Sequence, residues 1–278
     1  SLLTRVNLCA QALGWVAIAA GFSVMAGWWL DVPLLVSLIP GQQEVRANTA
    51  VANGLAGLSL VGVTRCWPRW VPGVAAALVL LIGTVTVIEY LLSTPWSGFD
   101  NLLVDPADVM ETVSPNSPGT SNSGRMGANV ALNVVLLGIA GILLVLGRAP
   151  NSRQALSAVV NSVAIIALLG YLLGVPVLYG HTAFAGIGMA PATAVVQLAV
   201  GIGFLLALPQ GGWAEVFASP FAGGRIARVW IPLTLVANSV GLVVTMRVIE
   251  HPELGEQLGV SVSFLLVIAV LLALATRM

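Results

Sequence analysis

The chain contains no lysine, and charged residues of every kind make up only 8% of it. A soluble domain carries about 25%, and so little charge cannot cover a water-facing surface. Net charge is zero and every basic residue is an arginine. No basic face is therefore offered to nucleic acid, whose binding is driven by neutralising phosphates. Only two cysteines, Cys9 and Cys66, and two histidines, His181 and His251, are present. Two lone thiols on one side of a membrane predict neither a structural disulfide nor a metal site. Both histidines fall in predicted loops, whereas haem ligation would want them inside a span; a pH response stays open for them. The chain has no Gly-x-Ser-x-Gly, no His-Glu-x-x-His and no glycine-rich phosphate loop ending in lysine. The expectation is a protein that is not an enzyme, with no cofactor and no metal. A removable signal peptide is not expected either, because no basic start leads into a short apolar stretch with a cleavage site.

What fills the chain is apolar. Of its 278 residues 58% are hydrophobic, and the mean hydropathy is +0.98. Runs of the ~17–25 apolar residues needed to cross a bilayer recur. Eight spans fit, near 11–30, 48–64, 71–93, 126–147, 155–174, 189–208, 226–247 and 257–276. They are expected to be helices, since a lipid-exposed backbone must satisfy its hydrogen bonds within the segment. The fold class predicted is all-α and polytopic.

Orientation follows from arginine. Arg5, Arg65, Arg69, Arg148, Arg153, Arg225, Arg228 and Arg277 gather on one side, against the single acid Glu215. The other side holds Arg46, Arg125 and Arg247 against ten acids, among them Asp31, Glu44, Glu89 and Asp100. Arginine excess in short loops marks the cytoplasm, so both termini are expected there. The longest outer loop, residues 94–125, is rich in Pro, Ser, Gly and Asn, a composition that supports no core of its own. Its acids lack the spacing of a Ca²⁺ loop.

One motif is written repeatedly. Trp28-Trp29-Leu30-Asp31-Val32-Pro33, Tyr90-Leu91-Leu92-Ser93-Thr94-Pro95 and Tyr171-Leu172-Leu173-Gly174-Val175-Pro176 each run from an aromatic, through Leu two places on, to Pro three further. A fainter copy ends at Pro252. Each repeat has a second half: Asn48-Thr49-Ala50, Asn129-Val130-Ala131 and Ala192-Thr193-Ala194. Nine places after the first residue of each stands a glycine, Gly57, Gly138 and Gly201. Internal repeats of this kind predict one supersecondary unit used several times. The unit is a hairpin of two crossing helices, with copies near 11–64, 71–147, 155–208 and 226–276.

Each feature has a plain and a functional reading. The glycines and Asn residues suit close helix packing and interhelical hydrogen bonds; alternatively Asn48, Asn53, Asn129, Asn133 and Gln197 line a cavity that opens outward. The aromatics suit the membrane interface, with Pro ending each helix. Alternatively Trp28, Tyr90, Tyr171 and Tyr179 ring a shallow outer pocket for a quinone, a lipid head or another small apolar molecule. Glu89 stands where the other copies have Gly27 and Gly170. A carboxylate held in hydrocarbon costs ~2–3 kcal/mol and has a partner or a use; Arg46 and Arg125 are the candidate partners.

Taken in order, Leu38-Ile39-Pro40, Arg46-Ala47-Asn48-Thr49-Ala50, Val87-Ile88-Glu89-Tyr90, Phe99-Asp100-Asn101-Leu102-Leu103, Arg125-Met126, Asn129 to Asn133, Leu169-Gly170-Tyr171 and Leu178-Tyr179-Gly180 resemble a known family. It is the N-terminal multi-span sensor region found ahead of bacterial histidine kinases and diguanylate cyclases. The chain departs from it at Asn129-Val130, where the family favours Asn-Thr, and at Ala192-Thr193, which has no Asn. The resemblance implies a sensory input and anchoring domain in the bacterial inner membrane, passing an outer cue to a cytoplasmic kinase or cyclase domain. It also implies a homodimer, and a chain that continues beyond Met278. The alternative is a non-catalytic scaffold subunit of a larger membrane assembly.

Overall fold

The computed structural model describes residues 2–37, 43–92, 125–179 and 188–208, together with Gly212 and Glu215. The chain divides into two compact units at Gly212, and the fold below is that of the first. The predicted spans 226–247 and 257–276, both histidines and most of the 94–125 loop lie outside the described residues.

Every described element is a helix. Helix α1 runs Leu2–Trp29, α2 is the short Pro33–Val36, α3 is Ala47–Thr64 and α4 is Trp70–Leu92. Helices α5 (Ala128–Leu146) and α6 (Pro150–Leu173) follow, then a 3₁₀ turn at Pro176–Tyr179 and α7 (Pro191–Leu206). Four of these, α1, α4, α5 and α6, are long and apolar enough to cross a membrane. Each of the first six predicted spans overlaps one helix of 16 residues or more. The ends have local causes. Gly147 and Gly174 close α5 and α6 in the left-handed conformation that glycine adopts without strain, and Pro150 and Pro191 open α6 and α7, where the missing amide is no loss.

The strongest pairings are α1 with α3, α4 with α5, and α6 with α7, so three of the predicted hairpins are packing units. They close on one another in rotation. Helix α4 also packs on α3, α6 on α5, and α1 on α7, while α3, α5 and α7 touch mutually. The second helices of the hairpins thus form an inner triangle, and each first helix fills the groove between two of them. Thirteen of the eighteen residues of α3 are buried. That is why α3 tolerates Asn48, Thr49, Asn53 and Ser59 and is less apolar than its neighbours: protein surrounds it, not lipid.

The inner helices carry buried residues at equivalent places. Thr49, Asn53, Ala56 and Leu60 on α3 match Val130, Val134, Leu137 and Gly141 on α5, and Thr193, Gln197, Val200 and Phe204 on α7. The spacing of four, three and four is that of a coiled-coil seam. At the last of these layers volume is traded between copies. The Phe204 ring approaches the place a side chain on Gly141 would take, to 3.6 Å, and Leu60, Gly141 and Phe204 are all buried.

The repeat glycines hold each hairpin together. A Cβ on Gly57 would lie 2.5 Å from the Gly14 carbonyl oxygen, and one on Gly138 would lie 2.6 Å from the Leu80 Cα. On Gly201 it would strike the Asn161 side chain. Ile18, Leu80 and Asn161 each stand ten residues before their hairpin's aromatic. Gly57 meets the Ile18 backbone, Gly138 the Leu80 backbone and Gly201 the Asn161 side chain. The same position is thus met in all three copies, by backbone in the first two and by a side chain in the third.

Candidate functional site

At one end of the bundle every hairpin is fastened by its aromatic. Trp28 Nε1 donates to the Val45 carbonyl at 2.9 Å, Tyr90 Oη to that of Met126 at 2.9 Å, and Tyr171 Oη to that of Met189 at 2.8 Å. Val45, Met126 and Met189 each stand one residue before the N-cap of the hairpin's second helix. A carbonyl outside the helix would otherwise be left without a donor among apolar neighbours, at the cost of a lost hydrogen bond.

In the first and third copies the resemblance extends through the connecting turn. Val32 N donates to Gly27 O at 3.0 Å and Val175 N to Gly170 O at 2.8 Å. The following proline then starts a short helix that folds back across the helix end. A Cβ on Gly27 would lie 2.6 Å from Leu35 Cβ, and one on Gly170 would lie 2.8 Å from Leu178 Cβ. Val45 N then bonds Val36 O at 3.0 Å, as Met189 N bonds Tyr179 O at 2.8 Å.

In the second copy Glu89 occupies the glycine's place. It is 2% exposed and its carboxylate lies 3.8 Å from Arg125 Nε. The Arg125 guanidinium also sits 5.2 Å from the centre of the Tyr90 ring, within reach of a cation–π attraction. Of the two candidate cations, Arg125 makes the pair with Glu89.

Polar contacts then link one hairpin to the next. Asn129 Nδ2 donates to Tyr179 O at 3.1 Å, while its Oδ1 accepts from Val130 N at 2.9 Å. Asn133 Nδ2 donates to Gln197 Oε1 at 2.9 Å. The Tyr171 and Tyr179 rings stack with centres 4.1 Å apart, and burial pushes the Tyr179 phenol above its ordinary range. The predicted site residues are therefore distributed over three hairpin ends on one side of the bundle. Glu89, Tyr90 and Arg125 meet at one, and Tyr171, Tyr179 and Asn129 at another. Trp28 is buried at the third with Val24, Met25, Val36 and Ala190. Asn48 is buried in the first turn of α3, next to Arg46 at the N-cap.

Beside Trp28's cluster lies a cavity of about 240 Å³ between the first and third hairpins. Helix α1 contributes Gly21 and Val24, α3 contributes Ala50 and Asn53, and α7 contributes Thr193 and Val196; Leu35 and Val45 also line it. Of the amides expected to line a cavity, Asn53 does so, whereas Asn133 and Gln197 bond to each other and Asn129 serves the third hairpin. Sequence reasoning passed over Val45, Met126 and Met189. Their signal was their fixed offset, three residues before Asn48, Asn129 and Ala192.

The opposite end is closed by polar side chains of the first helices. Gln11 Nε2 donates to Thr64 O at 3.1 Å, and Arg153 Nη1 donates to Phe204 O at 3.1 Å. Each supplies a donor to carbonyls that the end of a helix leaves free. Cys9 and Cys66 are exposed and free.

No protein family, no curated protein and no solved structure matches this chain.

Proposed function

We propose that the chain is a sensory input and anchoring domain of a bacterial inner membrane, and that it passes an outer cue to a cytoplasmic kinase or cyclase domain. In this reading all eight predicted spans cross the bilayer. The arginine-bearing end, with Arg65, Arg69, Arg148 and Arg153, faces the cytoplasm with both termini, and the clasped end faces outward. The chain works without catalysis of its own, in contact with lipid and as a homodimer.

The observation that carries this reading is a difference between two kinds of contact. Within the first two hairpins, glycines bring helix against helix at backbone distance. Between hairpins, contacts such as Asn129 to Tyr179 and Asn133 to Gln197 are single hydrogen bonds. The hairpins share one apolar core, in which the polar links between them are few and exchangeable. Such units can hold two arrangements, and a signal needs two states that a cue binds unequally.

The test joins the chain to a diguanylate cyclase output domain in a Cys9→Ala, Cys66→Ala background. Gln43 and Gly188 lie together at the junction of the first and third hairpins. Changing both to cysteine and bridging them with a short bifunctional thiol reagent fixes that junction. Cyclase output is expected to change severalfold on bridging, with either single cysteine unaffected. Output indifferent to the bridge would contradict the reading. The backbone-close glycine contacts equally suit a non-catalytic scaffold subunit; a stable multi-protein complex co-purifying with an unresponsive chain would favour that alternative.

A further inference from the structure

The cavity between α1, α3 and α7 has a chemistry of its own. Among the described residues no charged side chain lines it, so an ion placed there would meet none of them to offset its desolvation. Its walls are mostly small: Ala20, Gly21, Ala50 and Ala192 give flat surfaces in place of branched ones. Its volume of about 240 Å³ exceeds the ~150 Å³ of a dry apolar cavity that takes benzene, and it is below the ~300–1,000 Å³ usual for larger ligands. One substituted ring fits within it.

The polar groups of the wall are few. Asn53 is 3% exposed, and its Oδ1 has no hydrogen-bond partner. Thr193 is 2% exposed on the facing helix. A buried amide oxygen without a donor is costly, and the last torsion of an asparagine is broad, so the group turns to a donor at little expense. The equivalent residues are Val134 on α5 and Gln197 on α7. Valine asks for no partner and Gln197 Oε1 accepts from Asn133. Among these three equivalent places, the amide oxygen without a donor belongs to the residue that lines the cavity, and it is that turn of the amide which brings the oxygen to the cavity.

We propose that this cavity binds an uncharged apolar molecule the size of one substituted ring, and that Asn53 accepts a hydrogen bond from a hydroxyl on that ring. This gives the cue of the sensory reading a chemistry, and it rests on that reading for its consequence but not for the binding. The test therefore needs no output domain. The full chain is placed in nanodiscs and titrated with 4-fluorophenol and, separately, with 4-fluorotoluene, which replaces the hydroxyl by a methyl group. The ¹⁹F signal is followed, and protein-free discs supply the non-saturating partition into lipid.

The expected result is saturable binding of both, with 4-fluorophenol about tenfold tighter. Asn53→Leu should erase that preference, and Ala192→Phe should abolish saturation for both while thermal unfolding shows the variants folded. No saturation, or equal affinity of the unaltered chain for the two probes, overturns the proposal, and neither result depends on a variant that folds. Loss of binding here with a bridge-sensitive cyclase output would leave the sensory reading standing. Binding with an insensitive output would do the reverse.

Discussion

In the first and third hairpins a glycine lets a proline-led turn fold back over the helix end, Gly27 beneath Leu35 and Gly170 beneath Leu178. The second hairpin carries Glu89 in that place and answers it with Arg125. All three nevertheless keep the same aromatic bond to the same carbonyl position and a glycine pressed against the equivalent residue of the first helix. The frame of the hairpin is thus set by close backbone approach and one fastening hydrogen bond. The chemistry at its outer end is set by a single residue that the frame leaves open.

Exchanging that residue between copies should give the largest effect. Gly170→Glu would drive a side chain into Leu178 and bury a carboxylate away from any counterpart of Arg125, costing roughly 3–5 kcal/mol. Unfolding in detergent followed by circular dichroism checks it; a loss below about 1 kcal/mol would mean that the glycine is not needed for the turn. Glu89→Ala should cost less, about 2–3 kcal/mol, because Arg125 is partly exposed and can regain water. Arg125→Gln added to Glu89→Ala should cost less than Arg125→Gln alone, and a double-mutant cycle reads the difference.

The packing glycines sharpen the comparison further. Gly138→Ala and Gly57→Ala meet backbone atoms and should each lower stability by about 1–3 kcal/mol. Gly201→Ala meets only the Asn161 side chain, which can turn aside, and should cost under about 1 kcal/mol. Equal losses at all three would show that the third hairpin is as stiff as the others. Small too are the fastening bonds. Tyr90→Phe and Tyr171→Phe should each cost about 1 kcal/mol, and Trp28→Phe slightly more for its smaller ring. Thermal unfolding of the three in parallel tests whether they are one device.

The helices were legible because their residues make them so without tertiary help. Twenty apolar residues bounded by Pro, Gly or Arg can cross a bilayer only as a helix, and α1, α4, α5 and α6 meet that description. The hairpin copies were legible too, since aromatic, proline and glycine recur at fixed offsets. The rotational closure of three hairpins was not. It depends on which groove each first helix enters, and the residues that decide it, such as Phe204 against Gly141, differ between copies. The aromatics showed their importance but not their use. A tryptophan at a span end reads as an interface anchor, and only coordinates show its N–H directed at Val45 O. Charge and span position narrowed the partner of Glu89 to Arg46 or Arg125, because few charges were on offer, but did not choose between them. Asn53 gave no sign of difference from Asn48 or Asn133, as a cavity is made by neighbours from three helices.

The account turns on the clasped ends lying outside and the arginine-bearing turns lying within the cell. Native Cys66, exposed beside Arg65, and a cysteine introduced by Ser114→Cys in a Cys9→Ala, Cys66→Ala background can be tested with a membrane-impermeant maleimide on intact spheroplasts and on inverted vesicles. The account predicts that the cysteine at position 114 reacts on spheroplasts and Cys66 only on inverted vesicles. Both reacting from the same side, or the reverse pattern, would contradict it.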